Sequence, residues 1–423
     1  MSEAIRVGLL GFGNIGAGVV RNFHLHSETI QQRLERPLCL ARIADLDTTT
    51  PRDTGGFDYS SILTNDANAV LDAPDIDIVI ELIGGYEPAR QFIERALKAG
   101  KHVVTANKAV LAQYGAQLAA VARKHGVGLL FEASVGGGIP IIRTLQQGLA
   151  ANDFTAVYGI VNGTTNYILT RMAQHGTPFD EALKDAQEKG YAEPDPAFDI
   201  EGIDTAHKIA VLAWLAFGRP TRVEEAYVEG ITRIIPADLR FAGENGYRVK
   251  MLGIARRAGD GSLELRAHPA FVPEASLLAS VNDVYNAIMI EGSPVGQTLY
   301  FGRGAGPDAT SSAILSDCMA LADAIASGGL PRESRLLRRT APMPLRPMSE
   351  IEGAFYLRGQ DGPHLSRRII DALENKDIEV AILHAPPGTP AQLLTAPTRE
   401  GLLLEALKPL GARMPFIIRV MQD

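Results

Sequence analysis

Apolar and polar positions follow two periods along the first 150 residues. Short apolar runs, which have the length of buried strands, alternate with longer segments of helical periodicity. The apolar runs cover residues 5–10, 38–44, 76–82, 103–105 and 127–131. The helical segments 88–99 and 108–125 are followed by Gly100 and Gly126, and glycine favours a left-handed helix cap. The alternation predicts an α/β domain over residues 1–150 in which helices cover a parallel sheet.

The pattern changes after residue 150. A strand-like run, a short helix, a proline- and acid-rich loop and a long apolar helix follow in order, over residues 154–161, 165–173, 190–199 and 203–217. Residues 247–255 and 262–271 flank Gly259-Asp260-Gly261, and Asp-Gly is a strong hairpin signal. We therefore predict a second, α+β domain over residues 151–330, with an open mixed sheet and helices on one face.

The sequence pattern changes again after residue 330. Residues 331–348 contain four prolines and five arginines, which predicts an irregular linker. Residues 349–423 then give the order strand, helix, strand, strand, helix, strand within about 75 residues, as in a ferredoxin-like module.

Composition restricts the kind of protein. The chain has 423 residues, 46% hydrophobic and 21% charged, and a net charge of −8 without a long run of one sign, so we expect neither nucleic-acid nor membrane binding. The first residues lack the pattern of a signal peptide, and no apolar stretch suggests a membrane span. The two cysteines, Cys39 and Cys318, are predicted to be buried thiols. These features predict a cytoplasmic protein whose partners are small molecules or copies of itself.

A glycine-rich loop directly follows the first predicted strand and opens a helix. Its residues are Gly11, Phe12, Gly13, Asn14, Ile15 and Gly16. The first glycine permits a tight turn, the second lets the backbone approach a pyrophosphate, and the third lets helix and strand pack closely. The phosphates then lie at the helix N-terminus. We predict a Rossmann-type dinucleotide site and a nicotinamide-dependent oxidoreductase.

Cofactor choice depends on the end of the second strand. Asp45 is placed to accept hydrogen bonds from a ribose 2′-hydroxyl and to repel a 2′-phosphate, which favours NAD over NADP. It lies further from the glycines than the usual spacing of about 20 residues, and Arg42 and Arg52 are near enough in sequence to bind a phosphate. Asp45 as a simple turn cap remains an alternative.

A proline-stiffened loop carries the candidate chemistry. Glu193, Asp195 and Asp199 lie on it, and Asp204 and Lys208 follow at i,i+4 on one helix face. Such a pair is usually solvated, but this helix continues as a strongly apolar segment. A lysine held by carboxylates there is suited to pass a proton to a substrate oxygen during hydride exchange.

Several motifs in order resemble the homoserine dehydrogenase family along nearly the whole chain. They are the glycine loop, Thr105-Ala106-Asn107-Lys108, residues 131–140, Asn162-Gly163-Thr164-Thr165-Asn166-Tyr167, residues 191–208 and Gly302-Arg303-Gly304-Ala305-Gly306. The resemblance implies reversible reduction of L-aspartate 4-semialdehyde to L-homoserine, in the pathway to threonine and methionine. Ala44, where relatives that prefer NADP often carry arginine, also favours NAD.

The resemblance also implies roles for single residues. Lys208 is similar to the proton donor, and Glu193, Asp199 and Asp204 are similar to ligands of the substrate, with Asp204 also counted as catalytic. Lys108 resembles a lysine beside the nicotinamide and the substrate, and a plain helix-start lysine is its alternative. Gly304 resembles a glycine that closes over the cofactor. The implied monovalent-cation site, most simply for sodium, consists of Glu132, Val135, Gly137 and Ile139.

Residues 349–423 resemble the family's amino-acid-sensing ACT domain. That resemblance implies feedback by threonine and assembly into a homodimer or homotetramer. His364, however, stands where the family pattern commonly has glycine, and a bulky side chain there would hinder a ligand.

Two other interpretations of the chain's function remain open. An acylating semialdehyde dehydrogenase shares the nucleotide domain but needs a cysteine nucleophile, and neither cysteine is well placed. A non-catalytic regulator that senses NAD or an amino acid would not need Lys108, Glu193, Asp204 and Lys208 together.

Overall fold

The structure, a computed structural model, describes residues 4–331, 343–359, 362–384 and 390–421, and only the backbone over 362–366. Most of the predicted linker therefore lies outside the described residues, as does the side chain of His364. The chain forms two compact units. The first comprises Met1–Phe154, Ala210–Val223 and Asn286–Ala341, and the second comprises Thr155–Ile209, Glu224–Tyr285 and Pro342–Asp423.

Strands and helices alternate in the N-terminal segment, as the sequence predicts. In chain order they are β1 (Ile5–Leu10), α1 (Asn14–Leu25), α2 (Ser27–Gln31), β2 (Leu38–Ala44), β3 (Leu63–Thr64), α3 (Asn68–Leu71), β4 (Ile78–Glu81), α4 (Ala89–Lys98), β5 (His102–Thr105), α5 (Lys108–His125), β6 (Leu129–Leu130) and α6 (Ile141–Arg143).

The middle segment is richer in long antiparallel strands. Its elements are β7 (Asp153–Ile160), α7 (Gly163–His175), α8 (Phe179–Glu188), α9 (Ala197–Ile200), α10 (Ile203–Phe217), β8 (Tyr227–Val228), α11 (Pro236–Glu244), β9 (Tyr247–Arg257), β10 (Leu263–Pro273), β11 (Tyr285–Ser293), β12 (Gly296–Arg303) and α12 (Pro307–Ala326).

The C-terminal segment keeps the predicted strand and helix order, preceded by a short strand. Its elements are β13 (Glu352–Gly353), β14 (Phe355–Arg358), α13 (Gly362–Glu374), β15 (Val380–His384), β16 (Gln392–Thr395), β17 (Thr398–Arg399), α14 (Glu400–Leu407) and β18 (Phe416–Val420).

The sheet of the first unit is parallel throughout and has the order β3-β2-β1-β4-β5-β6. This is the strand order of a doubly wound dinucleotide-binding fold, in which ligands lie at the carboxyl ends of the strands. The strands are apolar on both faces because helices cover both, and Ile5, Leu9, Ile43 and Ile80 are buried in one core. The predicted parallel α/β domain is confirmed.

Helix α12 packs in the first unit, although it lies within the predicted second domain, residues 151–330. A Cβ atom at Gly18 of α1 would lie 2.8 Å from Pro307 of α12, so the two helices approach closely. Helix α12 has the length and hydropathy of a membrane span, which the sequence analysis did not anticipate. More than half of its apolar window is buried inside the protein, and Ile314, Cys318 and Leu321 belong to the core.

The sheet of the second unit runs in the order β7-β9-β10-β18-β14-β16-β15, with β8 beside β10. The predicted hairpin is present: β9 and β10 pair antiparallel, and the left-handed Gly261 closes the turn between them. The C-terminal strands join this sheet because β18 pairs parallel with β10 at Ala270 and Phe271. Within the C-terminal segment the order β18-β14-β16-β15 is antiparallel, which is the ferredoxin-like topology.

A buried polar network joins the C-terminal strands to α11. Asp238 is fully buried, and its carboxylate accepts hydrogen bonds from Tyr356 Oη at 2.6 Å and Arg358 Nε at 2.7 Å. The amide of Gln392 donates to the Ala237 carbonyl at 3.0 Å. Burial, reinforced by Asp238, raises the pKa of Tyr356, so its hydroxyl stays a donor. A buried carboxylate needs such partners, so this joint is fixed in one geometry.

Candidate active site

A buried amide organises the polar cluster of the second unit. Asn162 caps the start of α7, where its side-chain oxygen accepts a hydrogen bond from Thr165 N at 2.8 Å. Its Nδ2 group donates to Asp199 Oδ1 at 2.7 Å and to Asp204 Oδ2 at 2.8 Å. One capping residue therefore connects two acids that are separated from it by about 40 positions. The sequence analysis gave Asn162 no role, although an Asn before Gly163 is a helix-start signal.

Asp204 and Lys208 form a close ion pair in the first turns of α10. Lys208 Nζ lies 2.7 Å from Asp204 Oδ2 and donates to the Val161 carbonyl at 2.6 Å. The side chain of Asp204 is 3% exposed and that of Lys208 is 12% exposed. Because little water reaches the pair, each charge interacts strongly with its partner, and the ammonium is held in one direction.

Asp199 joins the cluster, whereas Glu193 lies outside its hydrogen bonds. Thr164 Oγ donates to Asp199 Oδ2 at 2.8 Å and also lies 2.7 Å from the Tyr191 carbonyl. Glu193 is exposed on the loop before α9, and Gln187 holds that loop through the Glu193 carbonyl at 3.1 Å. The structure thus assembles three of the predicted residues, Asp199, Asp204 and Lys208, and places the fourth, Glu193, in solvent.

The glycine loop has the predicted geometry at its three glycines. Gly11 has a φ of +95°, and a Cβ there would lie 2.7 Å from the Leu82 backbone. A Cβ at Gly16 would lie 2.3 Å from the Gly11 carbonyl oxygen. A Cβ at Gly13 would meet no atom within 4 Å, so this position is open rather than packed. Helix α1 begins at Asn14, and its free N–H groups suit a phosphate.

Asp45 lies directly after β2 and touches the glycine loop. Its carboxylate accepts hydrogen bonds from Phe12 N at 2.5 Å and from Asp47 N at 2.9 Å. The hydrogen bond from Asp47 N forms the local turn predicted by the alternative interpretation of Asp45 as a turn cap. Asp45 therefore stabilises this turn and also contacts the glycine loop through Phe12 N. Arg52 Nε donates to the Phe12 carbonyl at 2.9 Å, and its Nη2 donates to the Asp47 carbonyl at 2.7 Å. Arg42 pairs with Asp75 at 2.7 Å.

A buried carboxylate organises the segment that carries Lys108. Glu81, at the end of β4, is fully buried; its Oε2 accepts from Thr105 Oγ at 2.6 Å and its Oε1 accepts from Ile83 N at 2.8 Å. Thr105 Oγ in turn accepts from Asn107 N at 3.0 Å, and Lys108 then begins α5. Burial raises the pKa of Glu81. The sequence analysis missed Glu81, although a single acid in an otherwise apolar strand is a candidate functional residue.

The predicted cation-binding turn is a buried, oxygen-rich loop. The Glu132 carboxylate accepts from Ile142 N and Arg143 N, both at 2.8 Å, and so caps α6. Gly137 has a φ of +55°, and a Cβ there would lie 2.5 Å from the Gly304 backbone. Gly304 itself leaves no room for a side chain, because a Cβ would lie 1.7 Å from Asn286 Nδ2. Among the described residues, no group of three or more His, Cys, Asp or Glu side chains could hold a metal ion.

Neither cysteine is suited to nucleophilic catalysis. Cys318 is buried in α12, and burial raises the pKa of its thiol far above the range of a reactive cysteine. Cys39, predicted to be buried, is only partly buried, and it lies near the amino end of β2, whereas ligands of this fold lie at the carboxyl ends of the strands. The acylating mechanism therefore has no nucleophile at either position.

The family model described as "Homoserine dehydrogenase, NAD binding domain" matches residues 11–132, and the model "Homoserine dehydrogenase" matches residues 140–319. A homoserine dehydrogenase of Pseudomonas aeruginosa is 41% identical over 383 residues, which cover 89% of this chain and 87% of that protein.

Solved structures give the same family. A homoserine dehydrogenase from Thiobacillus denitrificans is 40% identical, with a TM-score of 0.91 over 99% of both chains. A hyperthermophilic archaeal homoserine dehydrogenase, solved in complex with NADPH, shares the fold at 24% identity, with a TM-score of 0.64 over 75% of this chain and 98% of that one.

Proposed function

The chain belongs to the homoserine dehydrogenase family, and we propose that its Asp204–Lys208 pair carries the proton transfer of the reaction. The protein is an NAD(P)-dependent oxidoreductase that interconverts L-aspartate 4-semialdehyde and L-homoserine. The observation that supports the proposal is the buried ion pair itself, with Lys208 Nζ 2.7 Å from Asp204 Oδ2.

The pair suits a proton donor for a carbonyl that is being reduced. The nicotinamide, when bound, supplies the hydride. Lys208 gives a proton to the substrate oxygen in the reductive direction and removes it in the oxidative direction. Asp204 and the Val161 carbonyl hold the ammonium in place, and Asn162 keeps Asp204 in its rotamer through a second hydrogen bond. A positioned donor of this kind contributes about 10²–10⁴-fold to a rate.

The acidic groups around the pair suit a substrate that carries an ammonium group. Asp199 uses one lone pair on each oxygen for Asn162 and Thr164, and each oxygen can accept another hydrogen bond. Glu193 is exposed and free to rotate toward a ligand because only its backbone is held. We assign Asp199 and Glu193 to the substrate's amino end. Lys108, fixed at the start of α5 by the Glu81 network, is assigned to the substrate and nicotinamide.

The glycine loop and Asp45 favour NAD. Gly13 leaves the open approach that a pyrophosphate needs, and Asp45 adds a negative charge at the ribose end of the site. Of the two nearby arginines, Arg42 pairs with Asp75, whereas Arg52 Nη2 lies 3.7 Å from Asp45 Oδ1 and offsets part of its charge. Gly304, which packs on Asn286, is assigned to the loop that closes over the cofactor.

A monovalent cation fits the oxygen-rich turn after β6. The Glu132 carboxylate, which accepts the Ile142 and Arg143 N–H groups, is assigned as one ligand, and the Val135, Gly137 and Ile139 carbonyls are assigned as the others. A hard ion such as sodium prefers this donor set, and it would order the turn between Gly136 and Ile139.

The C-terminal ferredoxin-like segment is assigned as an ACT module that responds to threonine. The buried Asp238 network supports transmission of a ligand-induced change from the C-terminal segment to α11, because Tyr356 and Arg358 of β14 donate hydrogen bonds to Asp238 of α11. We also propose a homodimer or homotetramer in the cytoplasm, with no nucleic-acid or membrane partner.

The test is the absorbance of reduced nicotinamide with L-homoserine and either NAD or NADP, with and without L-threonine. We expect homoserine-dependent reduction, a higher kcat/KM with NAD, and a lower rate in threonine. A higher kcat/KM with NADP would contradict the assignment of Asp45, and an unchanged rate in threonine would contradict that of the C-terminal module. No reduction with either cofactor by folded protein would contradict the proposed chemistry.

A further inference from the structure

The second unit contains a cavity of about 570 Å³ that the proposed reaction does not use. It is bordered by α7, α11, β9 and the loop before Asn282. Its lining includes Leu169, Leu239, Arg240, Val249, Lys250 and Asn282. The volume lies within the usual range for small-molecule sites of about 300–1,000 Å³.

The charged groups of the cavity are mostly basic. Arg240, Arg248 and Lys250 line it, and Glu244 is the acid among the lining residues. Arg248 also pairs with Glu274, outside the lining set. Glu274 and Asp283, which acts on Lys250, lie outside the lining set, so the lining itself carries three cations and one acid and favours an anion.

Lys250 is the most unusual of these groups because it is 3% exposed. Its Nζ donates to the Val281 carbonyl and to Asn282 Oδ1, which is 3.1 Å away, and both acceptors are neutral. An ammonium carries three hydrogens, so one remains for a ligand. Burial lowers the pKa of Lys250 to about 8, which leaves the group largely charged at pH 7. Asp283 acts on Lys250 without a direct hydrogen bond, so an anion bound to the ammonium itself would further compensate the cost of burying the charge.

We propose that this cavity binds a small organic carboxylate, with Lys250 and Arg240 as its charged ligands. The ligand carboxylate accepts one hydrogen bond from the remaining Lys250 N–H. It accepts others from the exposed Arg240 guanidinium, whose coplanar N–H groups match the geometry of a carboxylate. The apolar wall formed by Leu169, Leu239 and Val249 accommodates a short carbon chain. Because the lining combines apolar and cationic side chains, it suits an organic carboxylate better than inorganic phosphate.

The cavity is separate from the candidate active site. Asn162 lies at the start of α7, whereas the cavity borders residues 169–174 in its C-terminal half. At 1.5 Å per helical residue the two ends are about 15 Å apart. Neither Asp204 nor Lys208 lines the cavity, so a ligand there does not require the catalytic pair.

Calorimetric titration of the full chain with succinate tests the proposal. We expect saturable binding with a Kd of about 1 mM or lower, and at least about tenfold weaker binding in Lys250→Met and in Arg240→Gln. Lys184→Met, which removes an exposed lysine of α8, is the matched control and should bind as the parent does. Because Arg240 is exposed, Arg240→Gln is expected to fold even if Lys250→Met does not.

The outcomes separate clearly. Loss of succinate binding in Arg240→Gln, with binding retained in Lys184→Met, supports the site. Unchanged affinity in folded Arg240→Gln overturns it, because the succinate then binds elsewhere, and so does the absence of saturable heat in the parent protein. Orthophosphate that binds as tightly as succinate overturns the assignment to an organic carboxylate.

Discussion

The second unit contains the same acid–lysine pair twice. In α8 and its cap, Lys189 Nζ lies 2.6 Å from Asp185 Oδ1, and in α10 Lys208 Nζ lies 2.7 Å from Asp204 Oδ2, both at i,i+4. The side chains of the first pair are 44% and 29% exposed, whereas those of the second are 12% and 3% exposed. Spacing and distance are therefore the same, and burial differs.

The third partner differs as well. Tyr167 Oη bonds the exposed pair, whereas the amide of Asn162 links the buried pair to a second acid, Asp199. An i,i+4 pair in solvent contributes little to stability. In a site with little water the same groups interact strongly and stay oriented, which proton transfer requires.

Apart from replacement of Lys208 itself, the largest expected effect comes from Asp204→Asn. It removes the charge that orients Lys208 but keeps an oxygen that can accept its hydrogen bond, so kcat/KM should fall about 10²–10³-fold while the protein folds normally. Asp185→Asn is the matched control, with activity expected to match the parent. Steady-state kinetics on both variants is the measurement. Equal losses of kcat/KM in the two variants would contradict the difference between the buried and the exposed pair.

Asn162→Ser tests the contribution of the third partner. Serine still caps α7, but the two amide bonds to Asp199 and Asp204 are lost. We expect kcat/KM to fall about 10–100-fold, with the free energy of unfolding lowered by about 1–3 kcal/mol because two hydrogen bonds to carboxylates are lost. Tyr167→Phe removes the corresponding partner of the exposed pair and should leave kcat/KM unchanged. Denaturant unfolding and steady-state kinetics are measured on both variants. A positioning role for Asn162 would be refuted if Asn162→Ser changed the free energy of unfolding but not kcat/KM.

Two glycines of the first unit extend the contrast, because identical residues again have different surroundings. Gly16→Ala should destabilise the protein by about 1–3 kcal/mol, since its Cβ would lie 2.3 Å from the Gly11 carbonyl oxygen. Gly13→Ala should fold normally, because no atom lies within 4 Å, but bind NAD about tenfold more weakly. Thermal unfolding and NAD titration should therefore separate the two variants, and equal losses of stability would contradict this.

The smallest expected effect is the pH dependence of the exposed pair. Hydrogen bonds from Lys189 and then Tyr167 hold the pKa of Asp185 below its usual value of 3.8. A carboxylate with a depressed pKa stabilises the fold above its unfolded pKa and loses this contribution as the pH falls through its folded pKa. The melting temperatures of the parent and Asp185→Asn should therefore differ slightly at pH 7 and converge below pH 3.8. A difference that grows in acid would be inconsistent with this.

Contiguous features were predictable from the sequence. The bounds of β1, α5 and α10 agree with the predicted segments, because each has a clear period and a glycine or polar boundary. The glycine loop is also contiguous, so its turn, approach and packing positions follow from one motif.

Features that depend on distant contacts were harder to predict. The acids of the candidate site were selected from the sequence, but their link through Asn162 depends on a contact between α7 and α10. Glu193 has the right charge yet lies in solvent, since a loop's side-chain directions are not set by a period. Helix α12 was assigned to the second domain by its position, whereas its contact with Gly18 places it in the first unit.

The most direct test of the central claim is single-turnover reduction of NAD by L-homoserine in Lys208→Arg, with Lys189→Arg as the matched control. Arginine keeps the charge but does not readily give up its proton, so NAD binding should be unchanged and hydride transfer slowed about 10²–10⁴-fold. Lys189→Arg should react as the parent does. A single-turnover rate close to the parent's in Lys208→Arg would contradict the assignment of Lys208 as the proton donor.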